Sequence, residues 1–313
     1  MKKINKILVV LGGTSKERKI SLSTGKACIK AIKELKYKVE TFDPAKKHFS
    51  EINKLKADVI FNALHGKDGE DGHAQSYFEY YKIPYTHSGV LSSMNSMDKI
   101  ISKEIFIKKN IITPKYFTLK KNQYNLPILK TLIKSKKIKF PIVVKPSNEG
   151  SSIGVKICLS FKNLKKETEN LFKNYKTLLF EEFIGGQEIQ VAVMNGKALG
   201  AIELIPKRKF YDYKAKYYKS AKTNHVMPAN LNKKKYNEVL KIAAKAHNTL
   251  KCRGISRSDF KFVKNKFFLL ETNTQPGMTA LSLVPEIAKY NGISFKNLVN
   301  SIILDASIHR WVV

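Results

Sequence analysis

Two nearly continuous apolar runs with a helical stripe between them, at residues 7–11 and 59–64, constrain this chain more than any other feature. Ile7, Leu8, Val9, Val10 and Leu11 leave no polar face, as expected of a strand covered on both sides. Cys28, Ala31, Ile32 and Leu35 then recur at helical spacing. Residues 39–42 make a second strand candidate, 59–64 a third, and a short aromatic helix follows at 74–81. This strand–helix–strand rhythm predicts an α/β fold built on an open parallel sheet with helices on both faces. The basic start of the chain precedes an apolar run that Gly12-Gly13 ends, too short for a signal-peptide core.

Further along, residues 96–109 read as a helix with Ser96 as its N-cap. The Lys-rich stretch 122–139 predicts a surface helix with loops. Residues 140–145 form a strong strand that ends at Pro146, which holds Lys145 extended. A helix at 161–174 and a strand at 178–182 complete a small α+β unit. Beyond Glu188 come two strands, a polar tyrosine-rich loop and a long helix with the stripe Tyr236, Val239, Leu240, Ala243, His247 and Leu250. Strands at 254–263 and 267–272 and then helices close the chain, with no internal repeat.

The net charge of +33 raises nucleic acid or an anionic membrane as a partner. Only five of the 58 basic residues are arginine, the residue that reads phosphate and base edges bidentately. The lysines are spread over every element among many Asn and Ile, which reads as a codon preference expressed on solvated faces. No stretch reaches the apolar length of a membrane span. Cys28, Cys158 and Cys252 fit no metal or redox spacing and read as small core residues in a reducing compartment.

Neither the G-x-x-x-x-G-K-[ST] nor the G-x-G-x-x-G phosphate loop occurs. In their place Lys145 stands at a strand end before a loop holding two glycines and three serines, 146–154. Small residues let backbone N–H groups approach phosphate closely, and the lysine adds a cation. Alone, the segment also fits a hairpin turn with a solvent lysine. Glu271 and Asn273 are two apart on a strand, and Arg257 and Asp259 share a face of the strand before it. Pairing those strands would converge two carboxylates and an amide, oxygen donors suited to Mg²⁺; the alternative is a buried ion pair of Asp259 with a lysine. Pro276-Gly277 then turns the chain with the Gly277 N–H free to face a ligand. The segments 12–18, with Glu17, and 62–66, with His65, fall at the carboxyl ends of parallel strands, where open sheets bind ligands.

Taken in order, these segments resemble those of the D-alanine–D-alanine ligases of the ATP-grasp superfamily. The resemblance runs from Leu11-Gly-Gly-Thr-Ser-Lys-Glu-Arg18 through Ala63-Leu-His-Gly-x-x-Gly-Glu-Asp-Gly72 and Ser96-Met-Asp-Lys99. It continues with the 144–154 loop, Tyr211-Asp-Tyr-Lys-Ala-Lys-Tyr217, Arg257-x-Asp-Phe260, Glu271-x-Asn-Thr-x-Pro-Gly-Met-Thr279 and Ser282-Leu-Val-Pro285. It implies an ATP-grasp fold: an N-terminal Rossmann-like domain at 1–98, a central subdomain at 99–185 and a C-terminal domain at 186–313, the last two sandwiching ATP. Lys99, Lys145 and the loop residue Lys216 would hold phosphates. Glu181, Phe183, Ile184 and Glu188 would receive adenine and ribose. Asp259, Glu271 and Asn273 would bind two Mg²⁺ or Mn²⁺ ions. Glu17 would take the ammonium of the first D-alanine in a network with Ser152 and Tyr217, with His65 orienting that substrate. Arg257 and the Gly277 N–H would be oxyanion donors, and Ser282 and Leu283 would hold the second D-alanine's carboxylate.

The implied activity is ATP-dependent synthesis of D-alanyl-D-alanine for the peptidoglycan cell wall, by a cytoplasmic homodimer with no specific nucleic-acid or membrane partner. The 211–217 segment would close as a lid over ATP. Two alternatives stay open: a D-alanine–D-lactate ligase, against which Tyr217 argues, and a catalytically dead, basic RNA-binding ATP-grasp protein. Glu182 stands where relatives often carry lysine, and Gln275 occupies a variable position expected to change little.

Overall fold

The computed structural model describes residues 4–206, 223–279 and 281–308. The first sheet is parallel, ordered β2(Lys38–Phe42), β1(Lys6–Val10), β3(Val59–Asn62), with Val9 opposite both Thr41 and Phe61. Side chains alternate along β1, so the strand feeds two cores. Ile7 and Val9 pack with Cys28, Ala31 and Ile32 of α1(Arg18–Glu34), as the helical stripe predicts. Leu8 and Val10 pack with Phe78 of α2(His73–Tyr80) and with Tyr85. The first core crosses the expected boundary between 1–98 and 186–313. It also contains Val284 and Ile287 of α8(Leu283–Tyr290) and Leu298 and Ile302 of α9(Phe295–Leu304), because α9 packs its apolar stripe on α1 and on α8, which in turn rests on the strands at 187–194 and 197–205.

The expected helix at 96–109 is instead two helices, α3(Val90–Met97) and α4(Lys99–Lys108). Asp98 adopts extended backbone (ψ 106°) and caps α4, its Oδ1 accepting from Ile100 N at 2.8 Å and Ile101 N at 3.2 Å. Ser96 is therefore no N-cap; its hydroxyl donates to the Thr272 carbonyl. Lys99, Lys103 and Phe106 share the buried face of α4.

The second sheet is antiparallel, ordered β4(Tyr116–Lys120), β7(Thr177–Glu182), β5(Ile142–Pro146), β6(Lys156–Cys158). The strands at 116–120 and 156–158 carry no sequence signal strong enough to mark them; one holds only two buried positions and ends at Lys120, and the other is three residues long. α5(Leu126–Ser135), capped by Asn125, and α6(Phe161–Leu171), capped by Ser160, cover one face. Val143 lies opposite Glu181, so Lys145, two residues on, shares the face of Glu181.

The third sheet, ordered β10(Asn224–Val226), β9(Lys197–Ile205), β8(Gln187–Met194), β11(Ile255–Val263), β12(Lys266–Asn273), is also antiparallel. Ile189, Val191 and Val193 of β8 face Val239, Ala243 and Ala246 of α7(Lys233–Thr249). By alternation Glu188 and Gln190 point to the opposite side of the sheet.

Candidate active site

The third sheet sets its polar residues in rows. Arg257 lies opposite Asn273, and Asp259 opposite both Glu271 and Gln190. The strand pairing expected from residue parity is therefore the one formed, and it places two carboxylates and two amides on one surface. Arg257 grips Asp259 through Nε to Oδ1 at 2.7 Å and Nη2 to Oδ2 at 3.1 Å. The ion-pair partner of Asp259 is thus arginine on its own strand rather than the lysine considered above.

Two cavities open on this surface. The first is lined by Glu17, Glu70, Gly150, Ser151, Gln190, Arg257, Asn273, Gly277, Ser282 and Leu283, among others. The second is lined by Lys145, Ser152, Glu181, Phe183, Ile184, Glu188 and Asp259, among others. Lys99 and Glu271 line both, with Lys99 Nζ 3.5 Å from Glu271 Oε2. All three sequence segments therefore contribute to one continuous cleft.

Glu17 is 5% exposed, and its carboxylate sits between two glycines. A Cβ on Gly66 would lie 2.5 Å from Glu17 Oε2, and one on Gly150 2.8 Å, so neither position has room for a side chain. Ser151 Oγ donates to Glu17 Oε1. Sequence reasoning gave that place to Ser152, which lies instead against the second cavity. Both serines are left-handed, at φ 49° and 61°, so the chain reverses there and adjacent hydroxyls diverge. His65 is buried behind the cleft wall, its Nε2 3.0 Å from Thr24 Oγ1 and its Nδ1 2.9 Å from Glu70 Oε1. Glu70, not His65, lines the cavity; it lies in the same 63–72 segment but was not singled out.

At the second cavity Glu181 is held between two lysines. Lys145 Nζ donates to Oε1 at 2.5 Å, and Lys103 Nζ stands 3.0 Å from Oε2, within ion-pair range but outside hydrogen-bond alignment. Burial by itself would raise the Glu181 carboxyl, but the charges of Lys103 and Lys145 outweigh it and hold it below its ordinary value. Two ammonium groups share one carboxylate, and burial depresses Lys103, the more enclosed of them. Lys103 lines neither cavity but backs Glu181 from behind the wall, a role that sequence reasoning missed; its helical spacing from Lys99 was the available signal. Glu188 is engaged by Lys261 Nζ at 2.9 Å.

Asp259, Glu271 and Asn273 present only hard oxygen donors, the chemistry that suits Mg²⁺ or Mn²⁺. Among the described residues no three His, Cys, Asp or Glu side chains converge, so such a site draws on the Asn273 amide. Ser282 Oγ accepts from Thr279 N at 2.9 Å and closes the turn after Gly277. Lys216, Tyr217 and the expected lid at 211–217 lie outside the described residues.

Comparison with known proteins follows the same lines. Residues 105–304 match the family model described as D-ala D-ala ligase C-terminus, and residues 40–88 the one described as D-ala D-ala ligase N-terminus. The D-alanine–D-alanine ligase of Pelagibacter ubique is 56% identical over 310 residues, covering 97% of this chain and 99% of that protein. That of Rickettsia felis is 41% identical, covering 96% and 92%. The crystal structure of D-alanine–D-alanine ligase from Bacillus anthracis complexed with ATP superposes with a TM-score of 0.84 at 32% identity, covering 96% of this chain and 97% of that one. With both family models in register and near-complete overlap at more than half identity, this chain belongs to the D-alanine–D-alanine ligase family.

Proposed function

We propose that this chain joins two D-alanines into D-alanyl-D-alanine at the cost of ATP, supplying the dipeptide of peptidoglycan precursors. The observation that carries this reading is the junction of the two cavities at Lys99 and Glu271. One cavity offers lysines and an apolar slot for a nucleotide. The other offers a carboxylate, Glu17, opposite a cationic and N–H-lined wall, Arg257 and Gly277, as an amino acid requires.

ATP occupies the second cavity, its adenine beside Phe183 and Ile184 and its phosphates toward Lys145 and Lys99. The first D-alanine puts its ammonium on Glu17 and its carboxylate toward the γ-phosphate. A carboxylate oxygen attacks the γ-phosphorus in line, the bond to the bridging oxygen breaks, and ADP leaves a D-alanyl phosphate. Lys99 and Lys145 offset charge on the phosphates, so the work is positioning and electrostatics. The second D-alanine, its carboxylate at Ser282 and Leu283, attacks the acyl carbon with its deprotonated amine. Arg257 and the Gly277 N–H stabilise the oxyanion until the C–O bond to phosphate breaks. Asp259, Glu271 and Asn273 would hold Mg²⁺ or Mn²⁺ ions, which would neutralise the phosphate oxygens. Arg257 must then share or release Asp259.

Use of ATP and three buried free cysteines fit a cytoplasmic enzyme. Among the described residues no helix is long and apolar enough to cross a membrane. We infer a homodimer, supported by Leu91, Met94 and Ile101, which stand exposed on the neighbouring helices α3 and α4; light scattering of the purified protein decides it.

Coupled ADP release with D-alanine, L-alanine and D-lactate in parallel tests the activity. Release dependent on D-alanine alone is expected. Preference for D-lactate as second substrate would move the chain to the depsipeptide class, and no substrate-dependent release would reject ligation.

A further inference from the structure

The turn after β12 and the end of β3 meet inside the molecule through two carboxamides. Asn62 Nδ2 donates to Gln275 Oε1 at 2.9 Å, and Gln275 Nε2 donates to the Leu64 carbonyl. Asn62 is 0% exposed and Gln275 2%, so water does not compete for these bonds. Asn62 is itself fixed, since its Oδ1 accepts from Leu64 N at 3.2 Å and its Nδ2 also donates to Gly69 O at 3.1 Å.

Each end of this link leads into the cleft. On one side Gln275 N donates to Asn273 Oδ1 at 2.7 Å, and Gly277 follows two residues later. On the other, the residue after Leu64 is His65, whose carbonyl accepts from Ser15 Oγ at 2.6 Å. Ser15 Oγ in turn accepts from Glu17 N at 3.1 Å. Gln275 itself lines neither cavity. It nevertheless joins the loop that carries Glu17 to the turn that carries Asn273 and Gly277.

We propose that Gln275 is a positioning residue that sets the ammonium-binding carboxylate of Glu17 against the oxyanion and metal-side turn, with Asn62 as its anchor. The inference rests on the ligation reading above. Only a carboxamide supplies both the acceptor that Asn62 needs and the donor that the Leu64 carbonyl needs. Glutamate lacks the donor, and an apolar residue lacks both. The expectation that position 275 changes little is thereby replaced: this side chain is a buried clasp between two substrate-facing loops.

The test is steady-state kinetics of the full-length enzyme carrying Gln275→Met, which keeps the volume, beside Asn62→Ser, which breaks the contact from the other strand. In both variants the KM for D-alanine should rise about tenfold or more, while the KM for ATP stays within about twofold, because Glu17, Asn273 and Gly277 line the first cavity and not the second; an equal rise in both KM values would overturn the inference. A purely structural role would lower the active fraction with every KM unchanged, and that result overturns the inference. If Gln275→Met is insoluble, the same split or its absence in Asn62→Ser decides. A wild-type enzyme inert to D-alanine overturns the ligation reading and this inference with it; an active wild type with unchanged KM values in the variants overturns the inference alone.

Discussion

Arg257 holds Asp259 through two hydrogen bonds, at 2.7 Å and 3.1 Å, while their cross-strand neighbours Asn273 and Glu271 complete the same patch. The expected oxyanion donor and an expected metal ligand are therefore each other's partners before substrates arrive. Arg257→Ala should lower turnover on the order of 10²–10³-fold while ATP still binds. Turnover close to wild type, measured alongside ATP binding by calorimetry, would remove Arg257 from the oxyanion role.

His247 is 1% exposed, its Nδ1 2.7 Å from Ser256 Oγ. Burial pushes its imidazole down to about 4 from 6.5, against opposing pulls from Asp305 and a backbone hydrogen bond with Cys252. As pH falls from 6.5 toward 4, the unfolded chain takes a proton that the folded one refuses, so stability is lost through that window. His247→Gln should lose less over the same range, the difference being on the order of a few kcal/mol. Urea midpoints that fall in parallel for the two proteins would contradict this.

Gln190 is 1% exposed, and among the described residues neither its Nε2 nor its Oε1 has a hydrogen-bond partner. An unsatisfied buried amide costs about 1–3 kcal/mol, so Gln190→Met should leave the ligand-free protein as stable or raise it by about 1 kcal/mol. A urea midpoint showing a loss beyond about 1 kcal/mol would mean that the amide is satisfied in solution.

The Lys103–Glu181–Lys145 cluster predicts an order of stability. Lys103→Met removes a fully buried ammonium and leaves Glu181 paired with Lys145, whereas Glu181→Leu takes from two lysines the carboxylate they share. Breaking a buried pair costs about 3–5 kcal/mol, so Glu181→Leu should approach that loss and Lys103→Met should fall well short of it. Thermal or urea unfolding in the reverse order would show that the ammonium groups are solvated or uncharged in the fold.

The cleft was legible in the sequence wherever chemistry follows strand parity. Glu271 with Asn273 and Arg257 with Asp259 stand two apart, and once their strands pair the convergence is fixed. The central strand ending at Lys145 and the stripe of α7 were legible for the same reason, since period fixes the face. Loop geometry was not. Ser151 and Ser152 differ only in which way a left-handed turn throws each hydroxyl. His65 and Glu70 exchange places because the buried imidazole lies behind the carboxylate it binds. Gln275 gave no local signal, because its partners Asn62 and Leu64 lie more than two hundred positions earlier in the chain.

The proposed ligation turns on attack of a D-alanine carboxylate on phosphorus where the two cavities join. D-alanine labelled with oxygen-18 in its carboxylate, turned over with unlabelled ATP, tests it most directly by mass analysis of the phosphate released. One labelled oxygen should pass into each inorganic phosphate and none into ADP. Phosphate carrying no label from D-alanine would contradict it.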